Sequence, residues 1–328
     1  GYYDRKLKGK SGRSAKNNDP FGIPILVGQY KPIDSEKGSS LYLSIDRVIQ
    51  FIVEDKLKKA VERYGAKSAT VIVADPKTGN IKAMATLPSY NPALRLEYDE
   101  ALYRNPAVAD TYEPGSTFKL ITMSAALDLG VVSPTTKCDL CGGPLKIGGF
   151  EISTWNKKYY PNSTMTEVIQ HSDNIGMSFV SQKLGSDKFY EYILKFGFNR
   201  PTGIDLQEES PGFIRPKDEW REIDLATASF GQGLAVTPIQ MVQAVSAIAN
   251  NGTLISPRVV EKIESNKGDV EHVKPEKTTQ VITPRAAAQI TEMMVNAVEN
   301  GEAKAFVPKG YRIAGKTGTA QIPVAGNY

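Results

Sequence analysis

From Ser116 to Leu129 the chain reads Ser-Thr-Phe-Lys-Leu-Ile-Thr-Met-Ser-Ala-Ala-Leu-Asp-Leu, and Gly130 ends the run. Wound as a helix, this stretch puts Phe118, Leu120, Ile121, Met123, Ala125, Ala126, Leu127 and Leu129 on every side. A helix with no polar face has to pass through the middle of a domain, with other elements packed all round it. Lys119 conflicts with that burial. Its stem can carry the ammonium out to solvent. Held inside instead, the amine is desolvated, its pKa falls, and it can serve as a base near neutrality. Ser116 precedes it by three residues, on the same helix face. Glu113-Pro114-Gly115 sets that serine at a helix start, where free N–H groups favour an anion. Serine is a poor nucleophile without a partner to take its proton. On its own, the pair leaves both fates of the lysine open.

The rest of the chain reads as elements around that helix. Residues 1–38 are polar, with an apolar island at Ile23–Val27, and are expected to form an arm. Ser44 or Asp46 caps a helix with apolar positions Ile45, Val48, Ile49, Ile52, Leu57, Ala60, Val61 and Tyr64, ending at Gly65. A hairpin follows, 69–74 and 80–85, around Asp75-Pro76-Lys77-Thr78-Gly79. Residues 86–115 read as loop and 131–162 as irregular chain. Thr164-x-x-Glu167 is a capping box. The helix it opens breaks at His171-Ser172-Asp173-Asn174 and resumes to Leu184, with another over 187–196. Thr237-Pro238 and Thr283-Pro284 each put a cap before a proline at the first helical position. Tyr311–Ile322 is expected to be a strand. Strands at both ends with helices between favour an α/β sandwich over a doubly wound fold.

Composition removes several function classes. The 328 residues are 41% hydrophobic and 23% charged, enough for a full core. No run approaches the length of a membrane span, and no signal-peptide pattern stands at Gly1, so a soluble chain is expected. The net charge of +4 sits in residues 1–20, and everything after is neutral overall. A nucleic-acid binder usually carries its basic surface on the folded body, so no nucleic-acid partner is expected. Cys138 and Cys141 form a C-x-x-C followed by Gly142-Gly143-Pro144, not by a helix. His171 and His272 are in no ligand spacing with it, which argues against zinc and leaves a loop pair, free or oxidised. Gly310–Thr317 matches the phosphate-loop pattern letter for letter. Its variable positions are strand formers, and the Thr-Gly-Thr and Pro323 that follow cannot start a helix, so nucleotide binding is rejected.

Two further triplets complete a set. Ser172-Asp173-Asn174 puts a hydroxyl and an amide between two helices, although a helix kink with a capping asparagine reads equally well. Lys-Thr-Gly occurs at 77–79, where it is ordinary turn chemistry, and at 316–318. In the second, Gly315 and Gly318 leave room for a ligand backbone alongside. The order Ser-x-x-Lys, Ser-x-Asn, Lys-Thr-Gly is the signature set of penicillin-binding proteins and serine β-lactamases. With Arg104-Asn-Pro-Ala-Val108, Tyr112–Lys119, Phe230-Gly-Gln-Gly-Leu-Ala-Val-Thr-Pro238 and Ala314–Gln321, the chain from about residue 40 onward resembles the transpeptidase domain of class B penicillin-binding proteins, the division-type branch more than the elongation one.

The resemblance implies a penicillin-binding/serine β-lactamase-like sandwich, a mainly antiparallel sheet flanked by helices with a helical subdomain. It implies that 1–38 is the remnant of a non-catalytic pedestal or linker arm. Residues 39–328 are then a transpeptidase domain lacking the family's last two strands and closing helix. Carried over residue by residue, Ser116 is the nucleophile and Lys119 the general base. Ser172 and Lys316 pass a proton to the leaving amine, and Asn174 holds the substrate amide. Thr317, Gly318 and Thr319 receive the substrate carboxylate and backbone. The N–H groups of Ser116 and Thr319 form the oxyanion hole, and Asp173 and His171 are structural. No metal or organic cofactor is implied. Implied partners are peptidoglycan stem peptides ending in D-Ala-D-Ala, β-lactam antibiotics, a SEDS-type glycan polymerase and divisome proteins. Implied location is the extracytoplasmic (periplasmic) face of the cell membrane, the full-length protein being membrane-anchored. No Glu-x-x-Leu-Asn element follows Asn174, so slow deacylation is expected, unlike a class A β-lactamase. A β-lactam sensor and an inactive penicillin-binding fragment are the alternatives.

Overall fold

The computed structural model describes residues 1–12 and 34–320. After a helical turn, α1 (Asp4–Leu7), the first strand is β1 (Ser40–Leu43), which leads into helix α2 (Arg47–Tyr64). Asp46 caps α2 by accepting from the Val48 and Ile49 N–H groups, and Gly65 closes it in the left-handed region. Strands β2 (Ala69–Ala74) and β3 (Ile81–Leu87) form the expected antiparallel hairpin. Two 3-10 turns (Pro92–Glu97 and Glu100–Tyr103) and the short α3 (Pro106–Ala109) occupy the stretch read as loop; Asn91, Asp99 and Asn105 cap them, a local signal that the proline punctuation obscured.

Helix α4 (Lys119–Asp128) follows a 3-10 turn over Gly115–Thr117. It is buried from Lys119 through Leu127, as its all-round apolar pattern requires. A small hairpin, β4 (Leu145–Ile147) and β5 (Phe150–Ile152), turns at Gly148-Gly149, both at positive φ, inside the segment read as irregular. The capping box of Thr164 and Glu167 opens α5 (Met165–Gln170), and Asp173 caps α6 (Asn174–Lys195). Helix α6 is two helices joined at Gly185, close to the break expected between Leu184 and residue 187. Then come β6 (Phe213–Ile214), α7 (Glu222–Ala228), β7 (Leu234–Ala235) and α8 (Pro238–Ala249). Strands β8 (Thr253–Ile255), β9 (Val260–Glu264), β10 (Val270–His272) and β11 (Thr278–Gln280) precede α9 (Pro284–Asn300). Thr237 and Thr283 cap α8 and α9, each followed by proline. All the ladders between these strands are antiparallel, with β9 between β1 and β10. Among the described residues no helix is long and apolar enough to cross a membrane.

Two cores hold the fold. The larger joins α4, α5, α6, α8 and α9, with Phe118, Ile121, Met123, Ile175 and Phe198 fully buried. The smaller sits under the hairpin and contains Ile81, Ala107, Val108, Ala109, Ile204 and Ile239. Within the larger one, α5 and α6 approach so closely at Gly176 that a Cβ there would lie 2.5 Å and 2.6 Å from the two Val168 methyls. Gly176→Ala is therefore expected to cost roughly 1–3 kcal/mol by overpacking. Thermal melts would show this, with Val168→Ala recovering part of the loss in the double variant.

Three expectations need correction. Of the apolar positions on α2, Val48, Ile52 and Tyr64 are exposed and Leu57 is the buried one. The helix also makes a polar contact to the hairpin, where the Gln50 amide both donates to Met84 O (3.0 Å) and accepts from Met84 N–H (2.9 Å). Residues 311–320 form no strand ladder; positions 321 and 322 of the expected strand lie outside the described residues. The segment lies against helix α9 instead, with one backbone bond from the Gly315 N–H to Met294 O (3.4 Å) and a side-chain contact from the Arg312 guanidinium to Glu292 (2.8 Å). Residues 1–12, expected as an arm, touch the folded body yet stay exposed apart from Tyr3: the Tyr3 hydroxyl donates to Asp205 (2.7 Å), Lys6 reaches Glu271 (3.2 Å), and Lys10 and Glu36 exchange backbone hydrogen bonds within the arm (2.9 Å each). The apolar island at 23–27 lies outside the described residues.

Candidate active site

The turn that carries Ser116 is fastened to the 229–236 stretch. Tyr112 and Val236 exchange backbone hydrogen bonds (2.9 Å and 3.0 Å), the Glu113 carboxylate accepts from the Gly233 N–H (2.9 Å), and the Gly115 N–H donates to Gly231 O (3.0 Å). The last contact needs glycine on both sides. Gly115 and Gly231 have φ of +53° and +83°, and a Cβ on Gly231 would lie 2.2 Å from Gly115 O. Thr117 closes the turn from within, its hydroxyl on Pro114 O (2.7 Å). Ser116 itself is half-buried.

Lys119 does not snorkel. It is 0% exposed, and its ammonium donates to Ser172 O (2.6 Å), Ser172 Oγ (3.2 Å) and Asn174 Oδ1 (2.7 Å). Desolvation, and then the nearby positive charge of Lys316, hold its pKa well below the ordinary lysine value, against an opposing pull from Asp173. Ser116 is not among its three acceptors.

Ser172 is presented by the break between α5 and α6. It has φ +56°, a left-handed conformation uncommon outside glycine. The Asp173 carboxylate caps the new helix from the next position, which fixes the turn. Asn174 is oriented from behind by its Nδ2, which donates to Ser153 O (3.0 Å). The reading of motifs had missed Ser153, since a backbone carbonyl leaves no mark in a sequence. His171 stacks on Tyr160 at 4.0 Å between ring centres, in keeping with a structural part.

Lys316 arrives from the 311–320 segment, half-buried, with Nζ donating to Ser172 Oγ (2.8 Å) and Thr317 O (2.8 Å). Thr317, Gly318 and Thr319 lie exposed beside it. The segment passes close against the serine turn: a Cβ on Gly318 would come 2.8 Å from Thr117 Cγ2, and one on Gly115 would come 2.4 Å from Thr319 O. Lys119, Ser172, Asn174 and Lys316, separated by up to 197 positions, thus meet around one hydroxyl, with the serine turn packed against the lysine-bearing segment. The other Lys-Thr-Gly stays in its hairpin turn, with Thr78 bonded to Asp75 (2.9 Å). Cys138 and Cys141 are joined as a buried disulfide, resolving the pair left open above.

Residues 69–327 match the penicillin binding protein transpeptidase domain. The chain belongs to the penicillin-binding protein transpeptidase family. Among its relatives, Stage V sporulation protein D of Bacillus subtilis is 36% identical over 100% of this chain and 51% of its own length. Peptidoglycan D,D-transpeptidase FtsI of Escherichia coli K12 is 32% identical over 97% and 52%. Penicillin binding protein 3 of Mycobacterium tuberculosis, solved in complex with aztreonam, superposes with a TM-score of 0.85 at 29% identity, over 95% of this chain and 74% of that one. The chain spans about half the length of the curated relatives it matches. Its mixed α/β architecture, antiparallel sheets flanked by helices, agrees with the expected fold class.

Proposed function

We propose that this chain is the catalytic unit of a peptidoglycan D,D-transpeptidase, acting through an acyl-enzyme on Ser116. The observation that carries the reading is the fully buried Lys119 sharing the Ser172 hydroxyl with Lys316. A depressed amine beneath a half-buried serine is the requirement for activating that serine at neutral pH. In the resting arrangement Lys119 is a donor three times over, hence an ammonium. To act as base it first loses a proton to solvent, while Lys316, already an ammonium, keeps its own on the Ser172 hydroxyl, ready for the leaving amine.

Neutral Lys119 then takes the Ser116 proton as Oγ attacks the carbonyl of the penultimate D-Ala. Ser172 and Lys316 deliver a proton to the departing terminal D-Ala amine. Asn174 holds the substrate amide, Thr317 and Thr319 bind the carboxylate, and Gly318 lets the substrate backbone lie close. The N–H groups of Ser116 and Thr319 stabilise the oxyanion. An amine from a second stem peptide takes the acyl group and frees the serine.

The substrate class is stem peptides ending in D-Ala-D-Ala, and β-lactams are trapped at the same serine. One relative of the same fold, penicillin binding protein 3 of Mycobacterium tuberculosis, has been solved with aztreonam and with ampicillin. The buried disulfide accords with an oxidising, extracytoplasmic setting. A membrane-anchored whole protein, a division role, and partnership with a SEDS-type polymerase and divisome proteins belong to the same reading.

Native chain treated with a fluorescent penicillin is expected to gain one covalent adduct, located by peptide mass spectrometry on Ser116 and absent after heat denaturation. An adduct on another residue, or equal labelling of denatured chain, would refute the assignment.

A further inference from the structure

We propose that Asp173 acts through Lys119, as the buried counter-charge that sets the pH at which this lysine becomes available as a base. The inference rests on the reading of the site just given. Asp173 lies between the two residues that hold the Lys119 ammonium, Ser172 and Asn174, and is 1% exposed. Its Oδ1 caps α6, accepting from the Ile175 and Gly176 N–H groups (2.8 Å and 3.2 Å). Its Oδ2 is buried and accepts no hydrogen bond from the described residues. The cap needs one acceptor oxygen, which asparagine, serine or threonine supplies as well. An aspartate therefore adds to the cap only a negative charge, at the cost of burying half a carboxylate unsatisfied.

That charge is useful where an ammonium is buried beside it. Burial moves each group toward its neutral form, Asp173 upward and Lys119 downward, and their attraction opposes both movements. The other charges facing the pair are Lys316, opposite Lys119, and His171 at the end of α5, beside Asp173. Charges on the elements packed around them are committed elsewhere. Glu167 of α5 is bonded to Thr164, Asp224 of α7 to Arg215 and Arg221, Glu292 and Glu299 of α9 to Arg312, and Asp128 of α4 to Tyr192. Glu222 of α7, the exposed Arg285 of α9 and the later charges of α6, from Lys183 on, complete the set.

Without the carboxylate, Lys119 loses its proton at lower pH and becomes a weaker base. The test is the rate of acylation by a penicillin against pH for the wild type, Asp173→Asn and Asp173→Ser, with thermal melts in parallel. Both replacements keep a capping oxygen and remove the charge. In both, the acid limb of the profile is expected to move down by about one pH unit and the plateau to fall. Reduced stability lowers the amplitude of the signal without moving the limb. Acid limbs that coincide with the wild type in both variants would overturn the proposal and leave Asp173 as a cap. A wild type that is not acylated at any pH would overturn the transpeptidase reading, and this inference with it.

Discussion

Lys119→Met is expected to slow acylation by a β-lactam by about 10²–10⁴-fold while the chain stays folded. The rate term follows from removing the group proposed to take the Ser116 proton; the proposed oxyanion donors and substrate contacts remain. The stability term is a contest. Methionine has nearly the same volume and removes a buried ammonium, whose desolvation costs several kcal/mol. It also strips a donor from Ser172 O and Asn174 Oδ1, each worth about 1–3 kcal/mol when left unpaired. The two nearly cancel, so the thermal midpoint should move by only a few degrees. Penicillin labelling over time, with melts on the same samples, separates the outcomes. A variant that labels at the wild-type rate would remove Lys119 from the chemistry, and one that unfolds would show the lysine to be a structural strut. For the wild type the depressed pKa has a sign: acylation rises with pH as Lys119 loses its proton, over a range well below that of a free lysine.

Gly231→Ala carries the second large effect, and its cause is geometric. The new Cβ would sit 2.2 Å from Gly115 O and 2.7 Å from Gly115 N, both backbone atoms of the turn that presents Ser116. It would also stand at φ +83°, where an L side chain is strained. Strain and overpacking together come to about 2–5 kcal/mol, a fall in thermal midpoint on the order of 10 °C. If the turn gives way instead, Ser116 is displaced, and a shift of about 1 Å in a reacting group is worth roughly 10²-fold in rate. Gly233→Ala is the control. It has similar strain at φ +75°, but its Cβ would meet nothing nearer than Thr227 Oγ1 at 3.8 Å. Acylation should therefore survive there far better than in Gly231→Ala; equal losses would assign the effect to φ alone.

Local rules with a short physical reach were readable from residues. The caps at Asp46, Thr164 with Glu167, Thr237 and Thr283 stand where a side-chain oxygen can satisfy its own helix start. The burial of α4 followed from its having no polar face; the Ser-x-x-Lys pair became a candidate site only with the two further triplets. The assembly of Lys119, Ser172, Asn174 and Lys316 was legible only through the resemblance, since no rule of periodicity brings such distant residues together. What could not be read depends on neighbours. Of the apolar positions expected for α2, Ile45, Ile49, Leu57, Ala60 and Val61 are at least partly buried while Val48, Ile52 and Tyr64 are exposed, and the Gln50 amide, a polar group, shares the side that meets the hairpin at Met84. Residues 311–320 have strand-forming side chains, but a ladder also needs a partner strand, and this segment lies against α9, through the Gly315 N–H on Met294 O, and close to the serine turn instead. The left-handed φ at Ser172 and the Ser153 carbonyl that receives the Asn174 amide are backbone features, and neither residue type announces them.

The division of the interior into a small core and a large one bears on how this molecule can fail. Between Ala109, the last of α3 in the small core, and Phe118, the first residue of the large one, the chain crosses from one to the other, and Ser116 stands near the far bank. It is tied there to the 229–236 stretch by a few backbone hydrogen bonds, not by apolar mass. Helix α8 also spans the two, with Ile239 in the small core and Met241 and Ala244 in the large one, so a slip of one core past the other strains that helix together with the crossing. The candidate nucleophile is thus the gauge of how the two halves are seated. The chain can fall silent as a catalyst while by bulk measures of secondary structure it is still whole.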